Sequence, residues 1–278
     1  MNKILIAITG VLLFSSFNFQ SGYTITGNIG GNAEGMKVYL ESSSFTESKR
    51  IDSAIISNGQ FTMKGSIDAP AAYTIIIDKT AKGQKTSQSN WSVSRFYLEN
   101  SAITFSGHID SLPTYYYSRN RIVRKPVITG SASQRLLEDF EASTAQLRKE
   151  RNAVNDEYMK VYHLPAISGT FNTKQGVDLS RKEDELVKQL RRQTWKFIEE
   201  HSSSVVAFDK AREYFHGMEV PLTVPQIDSL IAIFESGYKN EQQVAVFKKE
   251  AAIAKKTAIG VKYQDMVLLS PEGKKVSI

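Results

Sequence analysis

The sequence predicts an α+β protein, with an N-terminal antiparallel β-sandwich-like domain over residues 22–130 and an α-helical domain over 131–256. Three observations predict it. Apolar residues recur with period two from Tyr23 to about Gly130. Beyond Gly130 the period becomes that of a helix. Turn and cap residues fall where the periodic segments break.

The period-two stretch opens with Tyr23, Ile25 and Ile29 alternating with Thr24, Thr26 and Asn28. Met36, Val38 and Leu40 follow, then Phe61, Met63 and Ile67, then Tyr73, Ile75 and Ile77. Phe96 and Leu98 lead through Asn100-Ser101 to Ile103, Phe105 and Ile109. Alternation puts one set on each face of a strand, so one face is buried and the other wet. Asn58-Gly59 lies between two runs, and both residues tolerate the positive φ of a type I′ turn, so a hairpin is expected there. Short, regularly spaced strands give a sandwich or a partly open barrel. Lys79–Asn90 is polar throughout and reads as a long exposed loop.

Ser131-Ala-Ser-Gln134 has the form of a capping box and opens the first helix. Leu136, Phe140, Leu147, Val154, Tyr158 and Val161 form its apolar stripe, and Pro165 lies just beyond the expected end. His163–Val177 reads as a loop. A second helix is expected from Ser180-Arg-Lys-Glu183, with Leu186, Leu190, Phe197 and Ile198 inward. A third spans about Val205 to Phe215. A fourth opens at Thr223-Val-Pro-Gln226, with proline in its first turn and Gly237 as its stop. A fifth spans about Glu241 to Lys256, with Val244, Phe247 and Ala251 inward. These stripes pack as a bundle or against the β domain.

The 278 residues include no cysteine, so this chain forms no disulfide, thiolate nucleophile or Cys-ligated zinc site. Residues 1–21 read as a signal peptide: Lys3 precedes the apolar run Ile4–Phe14, which is shorter than the roughly 20 residues of a membrane span. Cleavage is expected between Ser15 and Gly22. The expected location is the periplasm or cell envelope, with membrane attachment only through an uncleaved signal segment. The net charge of +6 is spread among mixed charges such as Arg181–Glu185 and reads as solvated helix faces rather than a nucleic-acid surface.

No chemical motif stands out. His108, His163, His201 and His216 lack metal-ligand spacing. His201 follows Glu199 and Glu200, but a helix C-terminus already favours a cation there. Gly27-Asn-Ile-Gly30-Gly31 lacks the ending of a phosphate loop and reads as a turn. Glu183, Asp184 and Glu185 are adjacent on a helix and do not converge. No catalytic residue, metal site or small-molecule cofactor is expected. One cluster is a candidate binding site: Tyr115, Tyr116 and Tyr117 followed by Arg119, Arg121, Arg124 and Lys125. Aromatic faces beside guanidinium groups bind sugars, peptides or anionic polymers. The competing reading is a strand edge guarded by charge.

Arg50–Gly65 (RIDSAIISNGQFTMKG), with Tyr23–Gly30, Val38–Leu40 and Phe197–Val205, resembles the domain of unknown function that precedes thioredoxin-like domains in bacterial envelope proteins. Thr257–Ile278 (TAIGVKYQDMVLLSPEGKKVSI) resembles the first strands of a thioredoxin-like fold of the thiol–disulfide oxidoreductase or peroxiredoxin-like class. The resemblance rests on Ile259-Gly260, Asp265, the turn Pro271-Glu272-Gly273-Lys274 and Val276-Ser277. Gln264 stands where that family usually has proline. The resemblance implies a short β stub over 257–278, either unpaired or docked on the helices. It also implies a non-catalytic accessory region, truncated or split from its redox domain. The alternative is a stand-alone envelope binding or scaffold protein for a peptide, protein or glycan partner.

Overall fold

The computed structural model describes residues 22–43, 48–81, 83–116, 122–216, 221–262 and 267–277. The expected signal segment lies outside them. The first eight strands are β1 (Tyr23–Gly30), β2 (Lys37–Ser43), β3 (Ser48–Ile55), β4 (Gln60–Gly65), β5 (Ala71–Asp78), β6 (Trp91–Leu98), β7 (Ala102–His108) and β8 (Val127–Thr129). They form two four-stranded sheets, ordered β4-β1-β7-β8 and β3-β2-β5-β6. Residues of one parity from both sheets meet in a single core. Ile25, Phe61, Met63, Ile103 and Phe105 come from the first sheet, and Val38, Leu40, Ile75, Ile77, Phe96 and Leu98 from the second. The α+β class and the sandwich are as expected.

Two details of pairing differ from the expectation. The sandwich is not wholly antiparallel, because β1 and β7 run parallel, with Ile25 opposite Ile103 and Gly27 opposite Phe105. The chain leaves β6 in one sheet and enters β7 in the other, so Asn100-Ser101 is a crossing between the sheets. Asn58-Gly59 does form the tight turn. Its φ angles are 51° and 71°, and Ser57 and Gln60 exchange both backbone bonds at 2.9 and 3.0 Å. Yet β3 pairs with β2 while β4 pairs with β1, so the turn is a corner between sheets. The first glycines of Gly27–Gly31 lie in β1, and only Gly31, at φ +90°, turns the chain. At Gly27 a Cβ would fall 1.9 Å from the Phe61 ring, so the bare backbone makes room for that aromatic.

The helices are α1 (Ala132–Tyr158), α2 (Leu164–Ile167), α3 (Thr173–Glu200), α4 (Val205–His216), α5 (Val224–Gly237) and α6 (Glu241–Ala254). Phe197, Ile198, Val206, Phe208, Leu230, Phe234 and Phe247 form their core, and Ala72 and Tyr97 from the outer face of the second sheet join it. The stripes therefore pack on one another and on the sandwich. The cap at Ser131 accepts from the Gln134 amide at 3.0 Å, but the box is not closed locally. Gln134 Oε1 accepts instead from the Tyr97 amide at 3.2 Å, and Glu99 takes the Ala132 amide and, at 3.0 Å, the Ser133 hydroxyl. The first turn of α1 is thus capped by the strand end it packs on. The capping box at Thr223–Gln226 closes as expected.

Two helix boundaries differ from the expectation. Pro165 does not lie beyond α1; the chain continues through a π-helical turn, Met159–His163, into α2. Proline offers no N–H to the carbonyl four residues earlier. Asn172 Nδ2 supplies that bond, donating to the Val161 carbonyl at 2.7 Å. The next helix starts at Thr173, seven residues before Ser180. The early start is stabilised where Gly176 lies against the Tyr162 ring, at a place where a Cβ would fall 2.6 Å from it. Glu183 is drawn away from any cap by Arg151 across the helix pair, at 3.3 Å.

Residues 267–277 form a hairpin, β9 (Val267–Leu269) and β10 (Lys275–Ser277), as a two-stranded sheet of its own. Earlier in the chain, Ala258 is buried in the helical core and the Ile259 amide donates to the Leu222 carbonyl at 3.1 Å.

Candidate functional site

The described tyrosines of the expected cluster sit at the free edge of β6. The Val93 amide donates to the Pro113 carbonyl at 2.9 Å, and the Tyr115 amide to the Trp91 carbonyl at 3.1 Å. Pro113–Tyr115 therefore extends the sheet by one short bridge. The Tyr115 ring meets Trp91 edge-on at 6.2 Å and Tyr116 at 5.0 Å, and Tyr116 is 58% exposed. Tyr117 and Arg119, and with them Arg121, lie outside the described residues. Of the cations beyond them, Lys125 points away and pairs with Glu141 of α1 at 2.8 Å.

A cleft of about 360 Å³ opens beside this edge, between β6 and the helices α1 and α4. Val93, Arg95 and Tyr97 form its sheet wall, Leu137, Glu138 and Glu141 line the α1 side, and Asp209, Lys210 and Glu213 line the α4 side. The Asp209 carboxylate is part of its lining. Tyr97 donates its hydroxyl to Asp209 Oδ2 at 2.9 Å, and Arg95 Nη2 lies 3.6 Å from the same oxygen. Burial raises the Asp209 pKa above the ordinary carboxylate range, against the opposing pull of the Tyr97 hydrogen bond and of Arg95 and Arg212. Burial, then the Asp209 charge, raises the Tyr97 phenol. The same two causes push Tyr238 up to about 12.

The strand edge within this cleft is partly open. In an antiparallel pair, successive residues direct their backbone groups alternately toward and away from the partner. Val93 and Tyr97 direct theirs away from β5, to Pro113 and Gln134. Arg95 has the same parity, so its N–H and C=O face the cleft, with no backbone partner among the described residues. A row of such groups is the template for adding an extended chain.

The third candidate surface is the hairpin. Leu268 pairs with Val276 on one face, while Val267 and Leu269 occupy the other. All four are exposed, Leu269 to 70%. Three consecutive apolar residues are the pattern of a strand covered on both faces. Here neither face is covered and both edges are unpaired among the described residues. The turn is well formed: Ser270 and Lys274 bond at 2.8 Å, and Gly273 has φ +78°.

The histidines do not converge. His201 ends α3 with its ring 4.8 Å from Phe197, His216 reaches Glu250 at 3.3 Å, and His108 lies 3.6 Å from Asp110. Among the described residues no group of three metal-ligating side chains assembles, and no helix is long and apolar enough to cross a membrane. The contact of Tyr97 with Asp209 was not anticipated. The two are 112 residues apart in sequence. The available signal was an aromatic at an outward-facing strand position.

A family model described as a domain of unknown function, DUF4369, matches residues 23–137. The match takes in the sandwich and the first turns of α1. No curated protein matches the chain. A solved structure titled as that of (S)-allantoin synthase is 18% identical, with a TM-score of 0.26. It covers 36% of this chain and 45% of that one, so this chain spans less than half of that structure's length.

Proposed function

We propose that this chain is a non-catalytic accessory module of the bacterial cell envelope, and that it docks a thioredoxin-like thiol–disulfide oxidoreductase domain through the hairpin β9–β10. The observation that carries the reading is the hairpin itself, apolar on both faces and unpaired at both edges among the described residues. An isolated two-stranded hairpin is marginal in water, and a larger sheet stabilises it. These 278 residues hold no cysteine, which supports a reading in which the thiols belong to a partner domain. The resemblance of Ile259-Gly260 and of the turn Pro271–Lys274 to the start of a thioredoxin-like fold supports the choice of partner.

Titration calorimetry of the purified chain with a Cys-x-x-Cys thioredoxin-like domain from an envelope oxidoreductase tests this. Saturable binding is expected, and Leu268→Lys and Leu269→Lys, on opposite faces, each weaken it by about tenfold or more, the scale of losing a buried apolar anchor. Insulin reduction by the chain alone stays at background. Absence of binding, or binding indifferent to both substitutions, refutes the reading.

A second reading, a stand-alone envelope scaffold for an extended peptide, is favoured by the open edge at Arg95. It predicts that a bound peptide shifts the Arg95 amide resonance in a titration, while the hairpin resonances stay in place.

A further inference from the structure

A second cavity, of about 100 Å³, lies between α1, α3 and α4 and shares Lys210 and Glu213 with the cleft beside β6. Arg148 and Arg151 approach it from α1, Arg191 from α3 and Lys210 from α4, while Glu213 is the carboxylate in its lining. Four cations thus share one small concavity with a single anion. Glu183, which holds Arg151 at 3.3 Å, leaves the group still positive by two charges when it is counted as well.

Arg148 and Arg151 are each held through Nε. Arg148 Nε donates to the Thr144 hydroxyl at 3.0 Å, and that hydroxyl in turn donates to the Phe140 carbonyl at 3.0 Å. Arg151 uses Nε on Glu183. The Arg191 guanidinium lies over the Tyr214 ring at 5.6 Å. Lys210 donates to Glu213 at 2.8 Å, with its ammonium 5.8 Å from the Phe140 ring. A guanidinium carries five N–H donors in a fixed fork, which suits two oxygens of one anion. An excess of like charge around one concavity is relieved when a further anion binds there.

We propose that this cavity binds one tetrahedral oxyanion, a phosphate group, through Arg148, Arg151, Arg191 and Lys210. Its size admits a single such group. The apolar rim of Val187 and Leu190 favours an ion with little bulk around it. The same chemistry is offered by inorganic phosphate and by the phosphate of a glycerophosphate headgroup.

The test is thermal unfolding and titration calorimetry of the full chain in sodium phosphate, sodium glycerol phosphate and sodium chloride at matched ionic strength. Phosphate is expected to raise the unfolding midpoint in a saturable, one-to-one manner that chloride does not reproduce. Arg148→Gln, at an exposed position, lowers the phosphate affinity by about tenfold, the scale of a lost charge-assisted bond. In chloride the same variant keeps a midpoint close to the parent's, because the lost bond to Thr144 is offset by the removal of a like charge. A response to glycerol phosphate as strong as that to inorganic phosphate assigns a headgroup source, and a response to inorganic phosphate alone assigns the free ion. Equal midpoints in phosphate and chloride, or a phosphate response retained by both Arg148→Gln and Arg191→Gln, overturn the proposal.

Discussion

Tyr97→Phe tests how the helices are anchored to the sandwich. The substitution keeps the ring in the helical core and removes one hydroxyl, the donor to Asp209 at 2.9 Å. The Asp209 side chain is only 18% exposed, so solvent restores little of the lost bond. A hydrogen bond to an ionised group contributes about 1.5–3 kcal/mol, and a neutral one about 0.5–1.5 kcal/mol. The Asp209 pKa is already raised by burial, and the Tyr97 bond is one of the influences holding it down. Its loss raises that pKa further. A carboxyl whose folded pKa is raised loses stability as pH rises through that folded value. The deficit of the variant is therefore about 1.5–3 kcal/mol on the alkaline side of the Asp209 titration, and about 0.5–1.5 kcal/mol where Asp209 is protonated. Urea unfolding across that titration measures both. In an Asp209→Asn background the Tyr97→Phe deficit should stay at the smaller value at every pH. A deficit that is independent of pH in the Asp209 parent, or absent, refutes the reasoning.

Three further substitutions follow from local geometry. Gly130→Ala places a Cβ 1.8 Å from the Ala102 carbonyl oxygen at φ +90°, so it should cost at least about 3 kcal/mol; a urea midpoint close to the parent's contradicts this. Asn172→Ala leaves the Val161 carbonyl without the bond that compensates Pro165, and should cost about 0.5–1.5 kcal/mol and speed amide exchange in the π turn more than in α5. Glu250→Gln acts on acid stability. Burial works to raise the Glu250 pKa, but its bonds to Arg212 and His216 outweigh that and hold it below the ordinary value of 4.5. Such a group stabilises fully above 4.5, and the contribution is lost as pH falls through the lower folded value. The variant should be weaker than the parent by about 1.5–3 kcal/mol near neutrality and converge on it in acid; a constant gap counts against the pair.

Much of the architecture was legible because it is local. The alternation at Tyr23–Ile29 and Phe61–Met63, the positive φ at Asn58-Gly59 and the capping box at Thr223–Gln226 each depend on neighbours in the chain. What was not legible depends on distant partners. An Asn-Gly turn looks the same whether its strands pair or part, and only the competing pairings of β3 with β2 and β4 with β1 decide between them. Ser180-Arg-Lys-Glu183 has the form of a cap, but Arg151 claims Glu183 and the Tyr162 ring over Gly176 carries the helix back to Thr173. Pro165 reads as a stop until Asn172 supplies the missing donor. Tyr115 and Tyr116 stood out as a run, whereas the cleft and the arginine-lined cavity are each assembled from elements far apart in the chain.

Amide hydrogen exchange at Val267–Ser277, with and without a thioredoxin-like oxidoreductase domain, tests the docking proposal most directly. Alone, the hairpin should exchange faster than β1 or α5, since no core covers it. With the domain present, its backbone amides should become protected, and Leu269→Lys should abolish that protection. A hairpin already protected alone, or equally unprotected in the presence of saturating partner, would contradict the account.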